Sequence, residues 1–392
     1  LNVSEQVGPR YAVTQTVNGV ADLTTGVQDT VFGSEQFKIN RTFGSSMGWG
    51  DFVKIRDIGA ARESEAIKAA AMQLAETIDK YVLNTTVLAA NNYLGTPNNL
   101  IEDYEDFVQG YTRLKEEGVD DADLRGVLTY ADKQALGEFV VDLPAPDAMT
   151  TTSFRGGFTG SVGGIPTMFT QQLPTLTTGS RVATGSVAMD AASQNVDYAD
   201  VAISAAPGQY LTQTIAITLP NTKTVVAGDV FTIAGVNAYD NRAQQDLGRL
   251  QQFTVVTGAT GDASNNAVIR IFPAIIVPGT GSGGDIAVNT ANATVATVPG
   301  ATAAISFVGA ASTVLRPRAI VQKQAIVVNT MDLIMPATGI GSRKALTKVP
   351  LSVRMWQDSD FNTGEHRVRF DVALTANIRE RRRIVRINGT GS

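Results

Sequence analysis

A chain of 392 residues with 43% apolar residues, 18% charged residues and a net charge of −5 is long enough for two or three domains around well-buried cores. Those fractions are ordinary for a globular protein, and the longest apolar runs fall far short of a membrane span, so no transmembrane helix is expected. The absence of cysteine excludes disulfides and thiolate chemistry. A single histidine, His366, excludes histidine triads and multi-histidine metal sites, so most nucleophilic and soft-metal functions lose their usual residues.

The chain opens at Leu1 without a basic segment followed by an apolar one, so no secretory signal is expected and the native N-terminus is expected upstream. Leu1 to Asp57 is extended and turn-rich. Gly8-Pro9, Asn18-Gly19, Gly26, Gly33, Gly44, Gly48 and Gly50 separate short pieces such as Tyr11 to Val17 and Glu35 to Phe43. From Phe37 to Phe43 apolar and polar residues alternate, as on a strand with one buried face. This predicts a two-stranded arm, which is marginal in water and requires a partner surface.

Arg62 to Asn92 has the clearest helical period in the chain. Ile67, Ala70, Ala71, Leu74, Ile78, Tyr81, Val82, Thr85 and Leu88 recur at steps of three and four, and charged residues fill the other faces. The run has no Gly or Pro and stops before Gly95 and Pro97. At about 1.5 Å per residue it makes a rod of roughly 45 Å.

A second amphipathic helix is predicted over Ile101 to Glu117, ended by Gly118. Leu124 to Tyr130 then reads as a buried strand, Ala131 to Phe139 as a helix opened near Asp132, and Gly156 to Leu173 as strands broken by glycines. At about Thr212 the composition shifts, and from there to Thr313 no Glu occurs. Strand patterns recur at Thr214 to Leu219, Val230 to Val236, Leu250 to Val256, Ala267 to Val277 and Ala303 to Val308, with no helical period between them. The stretch reads as a separate all-β domain, a barrel or a sandwich.

Charge returns from Val314. Ala319 to Val328, with Met331 to Met335, can rejoin the sheet left near Leu173, which makes the β domain an insertion. Three strand patterns close the chain: Leu351 to Met355, Val368 to Leu374 and Ile384 to Ile387. From Gly341 onward eleven Lys and Arg stand against five Asp and Glu, in a chain that is acidic as a whole.

Each chemical signal competes with a simpler one. Asp358, Asp360, Asn362 and Gly364 begin like a calcium loop, but the glycine is one place late and Arg369 stands where the last carboxylate belongs, so a hairpin turn is expected. Gly156 to Gly164 lacks both the Walker lysine and the dinucleotide spacing. Arg379, Arg381, Arg382, Arg383 and Arg386 can hold phosphates. No aromatics interleave them and Asp371 and Glu380 lie nearby, so a salt-bridged strand or a contact with an acidic neighbouring subunit is expected instead. Trp49 and Trp356 read as core or interface anchors, and His366 as a surface residue.

This order of elements, with the helix RESEAIKAAAMQLAETID and the closing run RFDVALTANIRERRRIVRI, resembles the major capsid proteins of tailed phages. The likeness is nearest to coat proteins of short-tailed phages with an inserted β domain. The resemblance implies an α+β Hong Kong 97-type fold: N-terminal segment and extended loop to residue 60, spine helix and peripheral domain 61–120, axial domain 121–211 and 314–343, inserted all-β domain 212–313, and peripheral strands 344–392. It implies hexamers and pentamers closing an icosahedral head around double-stranded DNA in the virion. Partners would be copies of itself, a scaffolding protein, a portal protein at one vertex and, optionally, a decoration protein. It implies no catalytic residue, cofactor, metal or membrane.

Lys38, Arg41, Lys54 and Arg56 on the arm, opposite Glu63 and Glu65 of an adjacent copy, are the candidate intersubunit contacts, together with Arg379, Arg381, Arg382 and Arg383. Three alternatives stay open on sequence. They are an encapsulin-like nanocompartment, a secreted β-rich adhesin or carbohydrate-binding protein, and a carboxylate-based hydrolase, which needs two acidic side chains in one cleft.

Overall fold

The computed structural model describes residues 2–7, 33–39, 41–49, 60–120, 123–142, 161–162, 164–181, 187–190, 194–203, 210–282, 285–334, 340–345, 351–359, 362 and 365–391. The chain divides into two compact units. The first consists of Leu1–Val3, Phe37–Thr85 and Val327–Asn377, and the second of the remainder.

The first unit is a helix on a sheet. Helix α1, Ala60–Val87, lacks helix breakers and runs about 42 Å at about 1.5 Å per residue. Leu74 and Ile78, with Ile67, Ala70, Tyr81 and Val82, pack on Val368, Phe370, Val372 and Leu374 of the strand His366–Ile378. The period of 3.6 on the helix meets the period of 2 on the strand, and each supplies one apolar face. Ala71, expected in the same stripe, is exposed.

Strand His366–Ile378 is central. Ser352–Ser359 pairs with it antiparallel from Ser359 opposite His366 to Val353 opposite Val372; most of the turn expected between them lies outside the described residues. Ile340–Ala345 extends that side, while Thr42–Trp49 pairs with His366–Ala373. The polar face carries Asp371, fully buried and held by Arg354 Nε at 3.2 Å and Arg369 Nε at 2.7 Å. Gly44 lies opposite Asp371, and a Cβ there would stand 2.8 Å from the carboxylate. Glycine at this position leaves room for the ion triad.

The second unit has an α/β body and a β body. The sheet of the α/β body runs Asn92–Leu94, Ile384–Ile387, Arg318–Gln322, Leu124–Leu128, Ile165–Phe169, Ser161–Val162. Helix α2, Tyr104–Glu116, is capped by Asp103, whose side chain accepts the Asp106 amide at 2.8 Å. It lays Phe107 and Leu114 on Ile320, Val385 and Ile387. Helix α3, Tyr130–Asp142, adds Leu136 to that core. Asp132 in its first turn is completely buried and receives Arg318 Nε at 2.8 Å, the Ile101 amide at 3.1 Å and the Thr129 amide at 2.8 Å.

The β body is a six-stranded antiparallel sheet in the order Ile305–Phe307, Val230–Asp240, Gln245–Thr257, Asn266–Phe272, Gln213–Thr218, Ala188–Met189. Its core contains Phe231, Phe253, Ile215, Ile217, Ile269 and Ile305. Two features depart from the sequence reading. Ala188–Met189, upstream of the expected start, joins the sheet edge beside Ile217 and Thr218. A helix also lies within the stretch read as strands only: α5, Asp285–Asn292, follows the short helix α4, Tyr198–Ile203. Val288 packs with Tyr198, Val201 and Phe272, and fully buried Asn289 accepts the Tyr198 amide at 2.8 Å. Tertiary packing makes this helix, because its Thr and Asn content gives it little propensity of its own.

Phe107 is wholly buried between α2 and the α/β sheet. Phe107→Ala is expected to cost about 3–5 kcal/mol through lost burial and the cavity left behind, read as a lowered urea midpoint of the purified chain.

Candidate functional site: a buried arginine joint and the exposed contact residues

The strand Ile384–Ile387 carries an arginine where its neighbours are Ile, Val and Ile. Arg386 is 1% exposed, and among the described residues no carboxylate touches it. Its Nη1 donates to Gly228 O at 2.8 Å, and its Nη2 donates to Ala90 O at 2.6 Å and Thr254 Oγ1 at 3.1 Å. The guanidinium carbon lies 5.8 Å from the centroid of the Tyr93 ring. Gly228 and Thr254 belong to the β body, Ala90 and Tyr93 to the α/β body, so one cation bridges both. Burial lowers its pKa to about 10, and the charges of Tyr93 and Asp229 oppose that shift.

Polar pairs surround the bridge. Gln252 mimics a strand toward Tyr93: its Oε1 accepts the Tyr93 amide and its Nε2 donates to the Tyr93 carbonyl, both at 2.8 Å. The Thr254 hydroxyl donates to Ala90 O at 2.8 Å. Arg242 donates to Gly118 O at 2.7 Å, and Arg249 meets Glu116 at 2.8 Å. Gly118 has φ +74°, and a Cβ there would strike the Arg242 guanidinium at 2.7 Å. Beneath lies a small apolar plug of Tyr93, Leu176, Val230 and Leu315. Arg181 and Asp229, both buried and 2.7 Å apart, brace the turn that presents Gly228. Burial pushes the Asp229 carboxyl up, while the Arg181 charge and the amides of Val226 and Gly179 hold it down.

The candidate contact residues divide between the two units. In the first, Arg41 is exposed, with its guanidinium 5.0 Å from the centroid of Tyr81 on α1. Glu65 is exposed on α1. Lys38 ends the strand Gly33–Lys38 and Glu63 lies in the first turn of α1, their side chains outside the described residues, as are Lys54 and Arg56 entirely.

In the second unit, Glu380 gathers Arg382 at 3.2 Å and Arg383 at 2.7 Å within the chain. Arg383 also donates to Gln322 at 3.0 Å. Arg381 lies 5.5 Å from the centroid of Phe272 and donates to Ala89 O at 3.4 Å. The Arg379 amide donates to Ala325 O at 2.9 Å. Arg386, grouped with these by sequence, is a buried joint residue. Its only signal is its place among Ile384, Val385 and Ile387, where an outward strand face would be polar throughout.

Among the described residues no group of three His, Asp or Glu could hold a metal ion, and no helix is long and apolar enough to cross a membrane. A family model described as P22 coat protein, gene protein 5, matches residues 25–384. No curated protein matches the chain. Among solved structures, one from Mycobacterium phage Che8 is 10% identical over 100% of this chain and 85% of that one, with a TM-score of 0.47. The capsid of cyanophage P-SCSP1u is 8% identical over 100% and 84%, with a TM-score of 0.45. The CUS-3 coat protein I-domain is 25% identical over 32% of this chain and 97% of its own, with a TM-score of 0.24.

The family match over residues 25–384 defines a phage coat protein. The chain belongs to the P22 coat protein family. It is a structural protein, not an enzyme: a major capsid protein that assembles with copies of itself into the phage head and resides in the virion. That membership does not favour an encapsulin-like compartment or a secreted adhesin.

Burial pushes the Tyr93 phenol up to about 12, against the charges of Arg386 and Arg318, which draw it down. An unfolded tyrosine ionises near 10. The stability Tyr93 contributes is therefore present below about pH 10 and lost as pH rises through about 12. Arg386, whose folded value lies below its unfolded one, works the other way: its penalty is relieved above about pH 10. Tyr93→Phe removes the first effect and the hydroxyl bond to Asn388 Oδ1 at 2.9 Å. The variant is expected to lose about 1 kcal/mol at neutral pH and to fall less steeply than the parent between pH 10 and 12, measured by urea unfolding.

Proposed function

We propose that this coat protein builds an icosahedral head from hexamers and pentamers, in the Hong Kong 97-type manner, around double-stranded DNA. A scaffolding protein guides assembly and a portal protein occupies one vertex. The observation that carries this reading is the family match over residues 25–384, which takes in both compact units.

The domain scheme rests on the same reading. The extended loop runs to about residue 60, the spine helix and peripheral elements cover 61–120 and 344–392, and the axial halves are 121–211 and 314–343, with the inserted domain at 212–313. Two observations support an insertion. Ile165–Phe169 and Arg318–Gln322 flank Leu124–Leu128 in one sheet while the chain between them leaves and returns, and the β body has a core cluster of its own. Electron microscopy of the purified protein with its scaffolding protein should show closed shells tens of nanometres across. A solitary compact molecule under all assembly conditions overturns the proposal.

Subunits meet, on this reading, through basic arm residues Lys38, Arg41, Lys54 and Arg56 against Glu63 and Glu65 of a neighbour, with Arg379, Arg381 and Arg383 as a second contact; Arg382, 8% exposed and paired with Glu380, is withdrawn from it. Each exposed pair contributes only about 0.2–1 kcal/mol, but the repetition around a closed shell multiplies it. Arg41→Glu with Arg56→Glu is expected to lower particle yield sharply, with partial rescue by Glu63→Lys and Glu65→Lys. Unchanged yield in the double reversal, measured by sedimentation, refutes the arm contacts.

A further inference from the structure

A small cavity lies where the C-terminal turn of α2 meets the hairpin of Val230–Asp240 and Gln245–Thr257, with Glu116, Glu117, Asp240, Arg249, Gln251 and Arg382 on its wall. Its volume of about 20 Å³ suits one atom-sized occupant. The polar atoms on this wall that are buried without a hydrogen-bond partner are all donors: Nη1 and Nη2 of Arg249 and Nε of Arg382. Arg382 as a residue is 8% exposed.

The carboxylates present do not reach these donors. Glu116 Oε2 is already shared between Arg249 Nε at 2.8 Å and Arg113 Nε at 3.5 Å, and Glu117 Oε1 stands 3.7 Å from Arg249 Nη2, beyond hydrogen-bond length. Glu380 is engaged by Arg382 Nη2 and Arg383. Arg113 leaves its own Nη1 buried and unpaired beside the site. Leaving several guanidinium donors dry costs more than leaving neutral ones dry.

We propose that this cavity binds a single monatomic anion, of the halide class, on Arg249 and Arg382. A water molecule offers two lone pairs and brings two hydrogens of its own, whereas a halide accepts from every direction. Burial first, and then the adjacent Arg249 charge, push Arg113 below the ordinary arginine value, while the Glu116 and Glu117 charges oppose that shift. Bound there, the anion joins α2 to the β body at a point separate from the Arg386 bridge. The proposal does not depend on the shell geometry.

The direct test is diffraction from full-length protein grown in bromide. An anomalous peak in the cavity, lost in Arg249→Gln, is expected. Density without anomalous signal identifies water and overturns the proposal, as does a peak that survives both Arg249→Gln and Arg382→Gln. In solution at constant ionic strength, replacing gluconate by chloride should raise the thermal midpoint by roughly 1–2 °C per tenfold rise in chloride above its Kd. Arg382→Gln should flatten that response, and a parent protein indifferent to chloride overturns the assignment without any variant having to fold.

Discussion

The enclosed guanidinium of Arg386 dictates how the second unit must be built. Moving such a cation out of water costs several kcal/mol unless acceptors replace the lost hydration. Here the acceptors are backbone carbonyls and a hydroxyl, drawn from Ala90 on one side and from Gly228 and Thr254 on the other. Neither side alone can satisfy the charge. The α/β body and the β body therefore become one thermodynamic object, although each has a core of its own.

Polar ties suit such a joint better than a broad apolar seam. The plug of Tyr93, Leu176, Val230 and Leu315 is small, so it supplies adhesion without direction. Arginine forks and the Gln252 strand mimic supply direction, because they are satisfied in one register only. The same economy appears in the first unit, where Asp371 takes two arginines and Gly44 clears the space for them. The buried carboxylates of Asp132, Asp229 and Asp371 are each met by an arginine of the same subunit.

Long periodic elements were readable in advance and short or contact-made ones were not. Helix α1 announces itself because Ile67, Leu74, Ile78 and Tyr81 keep a helical step over many turns. Val368, Phe370, Val372 and Leu374 announce a strand for the matching reason. DIAVNTAN carries no such period and folds into α5 because Val288 and Asn289 find partners far away in sequence. Ala188–Met189 is two residues long, too short for any pattern. The joint was hidden more deeply: RRRIVRI reads as a basic surface run, and only the apolar neighbours Ile384, Val385 and Ile387 separate Arg386, which is enclosed, from Arg383, which pairs with Glu380. Thr254 and Gln252 look like the wet face of a strand until the other body is placed against them. The contact residues on the arm were proposed from charge alone, and charge alone specifies no partner.

The strand order of the α/β sheet also fixes a schedule for biosynthesis. Ile384–Ile387 lies inside the sheet, between Asn92–Leu94 and Arg318–Gln322, yet it is the last of those strands to leave the ribosome. Until then Asn92–Leu94 lacks its strand neighbour, and the carbonyl of Gly228 lacks the guanidinium that closes on it. The joint between the two bodies is therefore the last part of the subunit to be completed.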